Sequence, residues 1–504
     1  MTTSFITTAI PYVNGAPHLG HALELVQADV FARHRRRRGH AVRFQTGTDD
    51  NAIKNVTAAL AAGVPIREFV NANAARFERL HEPLELSLDD TIRTSSDPRH
   101  AAGVASFWRA CAANNDFYLR DYRGLYCTGC EQFYTPNDLG DDGRCLEHGT
   151  EPAVVAEKNW FFRLNRYAGP IQEAIENGRV RIEPAAYRAE VLAFIRAGLE
   201  DFSVSRPGAR SQGWGIPVPD DPDQVVYVWW DALANYITAL GYGHGDGSVD
   251  DNYRRWWVDS DERIHVIGKG IVRFHAVYWL AALLSAGQPL PTTIVVHDYL
   301  TVDGAKIAKS AGNAVDPVDI VGQYGVDALR WWFVREVPRR GDADFTTARV
   351  VARANTELSN GIGNLVNRTL TLAHRYVDGR VPGVSDATDG PELLAAVAAL
   401  PDAVDAALAA FDLRRATDAI VTVVDATNRY VSTRRPWDLG RAASAGDAAA
   451  RVALDRVLGT VVHACRVVAR ELEPFLPGGS ARLRDQLRDG TSVSPPCPVF
   501  PRVA

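Results

Sequence analysis

Phe5-Ile6-Thr7-Thr8-Ala9-Ile10-Pro11-Tyr12-Val13-Asn14-Gly15-Ala16-Pro17-His18-Leu19-Gly20-His21 decides how this chain begins to fold. Phe5 to Ile10 is apolar and β-branched and predicts a strand, Pro11 to Pro17 is a Pro-, Gly- and Asn-rich turn, and Leu19 to Arg33 has the apolar spacing of a helix. A strand that runs through a turn into a helix aims unpaired backbone N–H groups and the positive end of the helix dipole at one spot, which suits a triphosphate. His18 and His21 fall on one helical face within reach of such phosphates, and Gly20 lets a ligand approach the backbone. Taken alone, the segment is equally well a surface helix capped by two histidines.

A second segment, Lys306-Ile307-Ala308-Lys309-Ser310, lies on a stretch containing Gly304 and Gly312. Lysine is a compact point charge on a flexible stem, so a mobile loop can carry Lys306 and Lys309 onto phosphates as negative charge builds on a leaving pyrophosphate. Alone, such lysines are ordinarily just solvated.

Working outward, Val42 to Thr46 reads as a second strand, and residues 1–116 alternate strands with helices in the α/β manner. An insertion, 117–224, interrupts this pattern, which returns over 225–300 and is followed by a lysine-bearing loop and its surroundings over 301–345. From 346 to 504 apolar residues recur at helical spacing, which predicts a helical bundle with a loop over Val377 to Pro391. At 504 residues and 46% hydrophobic content the chain can bury more than one core. The sequence shows neither a secretion signal nor an apolar run approaching the roughly 20 residues that cross a bilayer, so a cytoplasmic protein without membrane contact is expected. A net charge of -6 argues against general affinity for nucleic acid and leaves local patches, Arg33 to Arg38 and Arg429 to Arg435, for any such contact, with a solvated helix face the alternative for both and at least an equal one for the first.

Cys127, Cys130, Cys145 and His148 form C-x2-C-x14-C-x2-H, which brings four soft ligands together on two tight turns. The set suits a closed, tetrahedral, structural zinc ion, with reduced unliganded cysteines as the alternative. Cys111, Cys465 and Cys497 lie in or near apolar stretches and read as packing residues.

The two charged segments are similar to the paired signatures of class I aminoacyl-tRNA synthetases. Nearly the whole chain resembles the methionyl-tRNA synthetases: Thr8 to Tyr12, Pro17 to His21, Thr46-Gly47-Thr48-Asp49, the cysteine knuckle, Tyr227-Val228-Trp229, Arg273 to Trp279, Thr301 to Gly304 and Tyr324 to Arg330 all match in order. The resemblance implies a Rossmann-type catalytic domain split by a zinc-knuckle insertion, then an all-α anticodon-binding bundle. It implies ATP and Mg2+ at His18, Gly20, His21, His297, Lys306 and Lys309, with the two histidines and two lysines as the catalytic groups. It also implies a methionine site lined by Ala9, Ile10, Tyr12, Trp229, Ala232, Leu233, Tyr236, Ile271 and His275, with Asp49 on the substrate ammonium. Aromatic and aliphatic walls suit a soft thioether. Trp437, in the family-like stretch Pro436-Trp437, is expected to stack on an anticodon base.

The departures from that family cluster beside the adenylate. Asp50-Asn51-Ala52 stands where Glu-His-Gly is usual, Gly270 where the family reads Asp, Asp298 where it reads Gly, and Ala308 replaces a hydroxyl residue. Gly270 and Asp298 read as a compensating exchange around the nucleotide ribose. Three functions follow from these observations: methionine ligation to tRNA(Met), activation of an amino acid for transfer to a small N-hydroxylated amine on the way to a hydrazine, and a catalytically silent RNA-binding paralogue. The first is favoured, and with little chain beyond the bundle a monomer is expected.

Overall fold

The computed structural model describes residues 2–134, 139–146, 149–244, 251–302, 304–307, 314–381 and 389–504, with only the backbone of Lys306. His148, Ala308 and Lys309 lie outside the described residues. The chain divides into two compact units, one of Met1–Ala28, Arg35–Glu82 and Leu86–Tyr299, the other of Asp29–His34, Pro83–Glu85 and Leu300–Ala504.

The first unit is built on a six-stranded sheet in the order Asp90–Arg93, Ala41–Thr48, Thr3–Thr8, Glu262–Gly268, Thr293–His297, Arg181–Glu183. Every neighbouring pair is parallel. A parallel sheet covered on both faces demands strands without polar alternation. Thr293–His297, with its Thr-Ile-Val-Val-His sequence, is accordingly buried throughout, and Phe5 and Ile6 of the first strand have no exposed surface. The predicted second strand extends to Ala41–Thr48, and the predicted helix runs on to Arg37. The sixth strand, Arg181–Glu183, comes from the stretch read in the sequence as an insertion. The rest of that stretch includes an antiparallel sheet ordered Gln132–Tyr134, Phe117–Cys127, Ala153–Phe162, Phe202–Ser203.

Chain connections leave the sheet in opposite directions between Thr3–Thr8 and its neighbour Glu262–Gly268. At such a switch point the loops diverge and leave a crevice beyond the carboxyl ends of the strands. Ala9, Asp49, Lys269 and Asp298 each follow one of the four central strands at that edge.

The second unit is helical over most of its length, including Pro391–Ala409, Leu413–Arg434 and Ala448–Glu471, as the apolar spacing predicts. It is pinned by Arg330, fully buried, whose Nε donates to Phe475 O at 2.8 Å, Nη1 to Leu84 O at 2.8 Å and Nη2 to Asp29 Oδ2 at 2.7 Å. No helix among the described residues is long and apolar enough to cross a membrane.

Two expectations need correction. In the Arg33 to Arg38 run, Arg33 pairs with Asp29, Arg35 with Glu262 and Arg36 with Asp89, so these three charges serve internal contacts. Cys111 and Cys465 are buried packing residues, but Cys497 is exposed, because its Pro-flanked segment lies outside any helix or strand.

Candidate active site

The histidine pair closes the turn after the first strand. His18 precedes the helix Leu19–Arg37, and its Nδ1 accepts the N–H of Gly20 at 3.1 Å, satisfying one of the helix's leading donors. Nδ1 of His21 accepts the N–H of His18 at 3.1 Å, and the two rings stack with centroids 3.8 Å apart. A backbone N–H can only donate, so both rings must be acceptors at Nδ1 and, when neutral, carry their hydrogen on Nε2. The bond from Gly20 bears out the capping reading for His18, and when neutral each ring carries its N–H on Nε2.

Gly20 also lies tight against a side chain. A Cβ at this position would meet the His18 ring at 3.0 Å from Cε1 and 3.1 Å from Nδ1. Gly20→Ala is expected to shift the ring by a few tenths of an ångström and to strain its bond to the Gly20 N–H. The strained cap and the helix preference for alanine over glycine, each about 1 kcal/mol, should nearly cancel, so thermal unfolding should give a midpoint close to that of the wild type, and a clear rise would show that the cap contributes little.

Glu24, one turn further along the same helix, was not recognised in the sequence. Its Oε1 accepts the N–H of Ala9 at 2.8 Å, and its Oε2 lies 2.9 Å from His297 Nε2. It thus ties the ends of two strands together across the crevice. Burial lowers the His297 pKa, but the bond to Glu24 and the attraction of its charge prevail and raise it above the ordinary value. Asp298 is buried and accepts a short hydrogen bond from the Tyr187 hydroxyl, with Lys269 Nζ 3.4 Å from the same oxygen. Gly268 and His297 are register partners, so positions 270 and 298 follow neighbouring strand ends.

Asp49 and Tyr12 are bridged in parallel just past the strand ends, with the Asp49 N–H donated to Pro11 O at 2.8 Å. Asp49 is 2% exposed, yet its Oδ1 has no hydrogen-bond partner, and neither has the buried hydroxyl of Tyr12. Burial first, then the carboxylates of Asp231, Glu131 and Asp50, raise the Asp49 pKa well above the ordinary range. The Asn51 backbone N–H bonds the carboxyl and works against that rise, but a buried acid with an unsatisfied oxygen and no cation beside it is costly unless something cationic arrives. Its neighbours Asp50 and Asn51 are fully engaged. Asp50 accepts from Thr48 at 2.7 Å, Arg93 at 2.9 Å and Ser95 at 2.7 Å, while Asn51 donates to Asp231 at 2.7 Å. Asp231 also bonds the buried His100. Ala52 packs with Tyr227, Val228, Tyr12 and Trp229. The altered Asp50-Asn51-Ala52 stretch therefore serves to fix the loop that carries Asp49.

Beside the acid stands an aromatic wall. Trp229 meets Tyr12 edge-on at 6.2 Å and stacks on Phe274 at 3.8 Å. Ala232, Leu233 and Tyr236 follow on the helix Val228–Thr238, all buried. His275 Nδ1 donates to Ile271 O at 3.0 Å, which leaves Nε2 to accept the Tyr236 hydroxyl at 2.7 Å. Burial pushes the His275 pKa down to about 4 from its ordinary 6.5, and pushes that of the adjacent His265 well below the ordinary value. A depressed histidine contributes stability that is full above pH 6.5 and is lost as the pH falls towards 4. Urea unfolding of the wild type should weaken over that window by on the order of 3 kcal/mol more than that of His275→Gln. Parallel decline of the two proteins would remove His275 from the linkage.

The Sγ atoms of Cys127, Cys130 and Cys145 all lie within 4.8 Å of one another, and those of Cys130 and Cys145 are 3.5 Å apart. Three thiols converging without a disulfide fit a thiophilic tetrahedral ion. Lys306 belongs to the second unit, its backbone in the short strand Ala305–Lys306. Trp437, near the start of the helix Pro436–Ser444, is partly exposed.

A strand, turn and helix at the switch point of a parallel sheet, beside an aromatic wall and a buried acid, is the arrangement of the class I aminoacyl-tRNA synthetases. The family described as tRNA synthetases class I (M) matches residues 4–141 and 134–370, and the chain belongs to it. The chain is 38% identical over 525 residues to a methionine–tRNA ligase of Mycobacterium bovis, covering 100% of this chain and 98% of that one. It is likewise 38% identical over 527 residues to a methionine–tRNA ligase of Brucella suis, covering 99% and 97%. Mycobacterium tuberculosis methionyl-tRNA synthetase in complex with methionyl-adenylate superimposes with a TM-score of 0.93 at 36% identity, with 100% of both chains covered.

Proposed function

We propose that the protein is a methionine–tRNA ligase that activates methionine with ATP and transfers it to tRNA(Met). The observation that carries this reading is the buried Asp49 carboxyl, one oxygen of which has no hydrogen-bond partner, beside the Tyr12 and Trp229 rings, in a chain that matches methionine–tRNA ligases along its whole length. Asp49 binds the substrate ammonium. Ala9, Ile10, Tyr12, Trp229, Ala232, Leu233, Tyr236, Ile271 and His275 enclose the thioether side chain. The neutral His275, held by Ile271 O and the Tyr236 hydroxyl, adds no charge to this wall.

A carboxylate oxygen of methionine attacks the α-phosphorus of ATP, the bond from that phosphorus to the bridging α,β-oxygen breaks, and pyrophosphate leaves with the electron pair. The Nε2–H groups of His18 and His21 and the ammonium groups of Lys306 and Lys309 offset the charge that builds on the phosphates. Bound Mg2+ would screen the same phosphate charge. The terminal ribose hydroxyl of tRNA then attacks the acyl carbon, its proton is lost and AMP departs. Zinc, held by Cys127, Cys130, Cys145 and His148, has a structural part. Trp437 stacks on an anticodon base. Transfer to a small N-hydroxylated amine is not favoured, since the full-length relatives are methionine–tRNA ligases.

ATP–pyrophosphate exchange with a panel of amino acids tests the activation step. Methionine should be the best substrate, ahead of leucine by 10-fold or more, because one methylene or sulfur in an apolar pocket is worth about 1–3 kcal/mol. Faster exchange with another amino acid would overturn the assignment.

A further inference from the structure

The helix Ile53–Ala62 begins at the end of the loop that carries Asp49, and its N-cap residue, Ala52, has no side chain able to accept its leading N–H groups. The missing acceptor comes from the cysteine knuckle. Glu131, next to Cys130 and 1% exposed, accepts the Lys54 N–H at 2.6 Å. It does so from a left-handed backbone conformation, φ 57°, which a residue with a Cβ keeps only where its surroundings hold it there. The Lys54 ammonium lies 4.9 Å over the ring of Tyr12, and the backbone oxygen of Cys130 accepts Trp229 Nε1 at 3.4 Å. Two consecutive knuckle residues therefore touch both sides of the proposed methionine pocket: the Trp229 wall directly, and the Asp49 and Tyr12 side through the helix start.

We propose that Cys130 and Glu131 couple the knuckle's metal to the amino-acid pocket, so that zinc and methionine each strengthen the binding of the other. The inference rests on the zinc and methionine readings above. An ion holding the three thiolates fixes the turn before Glu131, and the turn fixes the helix cap and the Trp229 indole. Because binding linkage is reciprocal, methionine must slow the loss of zinc by as much as it gains from zinc being present, wherever release tracks affinity. Glu131 is a positioning residue: it contacts the start of a helix and touches no substrate.

The test follows zinc release from the zinc-loaded protein to a chromogenic chelator, with and without saturating methionine, and methionine affinity by calorimetry. In the wild type, methionine should slow release by about 5-fold or more. Glu131→Ala should weaken methionine binding about 10-fold and abolish the effect of methionine on release, with zinc still bound at the start. Glu131→Gln, which keeps an acceptor oxygen, should recover most of both and serves if the alanine variant fails to fold. Equal release with and without methionine in a wild type that binds both overturns the coupling alone. A protein that holds no zinc by elemental analysis, or binds no methionine, overturns the reading beneath it.

Discussion

Asp49→Asn should raise the KM for methionine by about 10²- to 10³-fold while leaving the protein as stable as the wild type or more so. The two halves of this result come from one feature. In the folded chain the Asp49 carboxyl is buried with an oxygen that has no partner, and the charges of Asp231, Glu131 and Asp50 press on it. An asparagine there relieves the protein of an uncompensated acid. The substrate ammonium, in contrast, loses the one counter-charge aimed at it, and breaking a buried pair by removing one partner costs about 3–5 kcal/mol. Parallel measurement of exchange kinetics and thermal midpoint separates the two effects. A lowered midpoint with an unchanged KM would make Asp49 a structural acid and leave the pocket without its anchor.

Lys309→Ala should cut the rate of adenylate formation by about 10²- to 10³-fold, the loss typical of a group that stabilises charge only in the transition state. The change should fall on kcat more than on the KM for methionine, because the charge it offsets builds on pyrophosphate. The folding midpoint should scarcely move. Lys309 lies outside the described residues, so this prediction comes from its place in Lys306-Ile307-Ala308-Lys309-Ser310 between Gly304 and Gly312. Single-turnover formation of adenylate, run beside thermal unfolding, decides it, and an equal loss of stability would count against the phosphate role.

What could be read in the sequence was what is encoded locally. The strand, turn and helix around Pro17 to His21 announce themselves through β-branched residues, Pro and Gly, and apolar spacing, and the structure has the strand at Thr3–Thr8 and the helix at Leu19–Arg37. The cysteines also follow a spacing rule, and three of their sulfurs converge. The supporting groups were hidden because their partners are distant in sequence. Glu24 acts through His297, His100 through Asp231 and Glu131 through Lys54. Each looks in sequence like an ordinary polar residue of a helix or turn. The same distance misled the reading of Arg33 to Arg38, whose acidic partners Asp89 and Glu262 lie far along the chain. Gly20 was recognised, but the neighbour it lies against, the folded-back ring of His18, is a matter of side-chain conformation.

The departures around the adenylate acquire a physical meaning in this setting. Asp50 and Asn51 fasten the Asp49 loop to Arg93, Ser95 and Asp231. Asp298 sets an acid at the sheet edge, where Tyr187 and Lys269 both meet it. These contacts hold the edge of the sheet at which the buried Asp49 lies.

The most direct test of the central claim is the transfer of labelled methionine to total bacterial tRNA by the purified protein with ATP and magnesium, with a small N-hydroxylated amine offered in a parallel reaction. Methionine should appear on tRNA in an ATP-dependent manner, with no comparable product from the amine. Adenylate formation without charging of tRNA, together with acylation of the amine, would contradict the account.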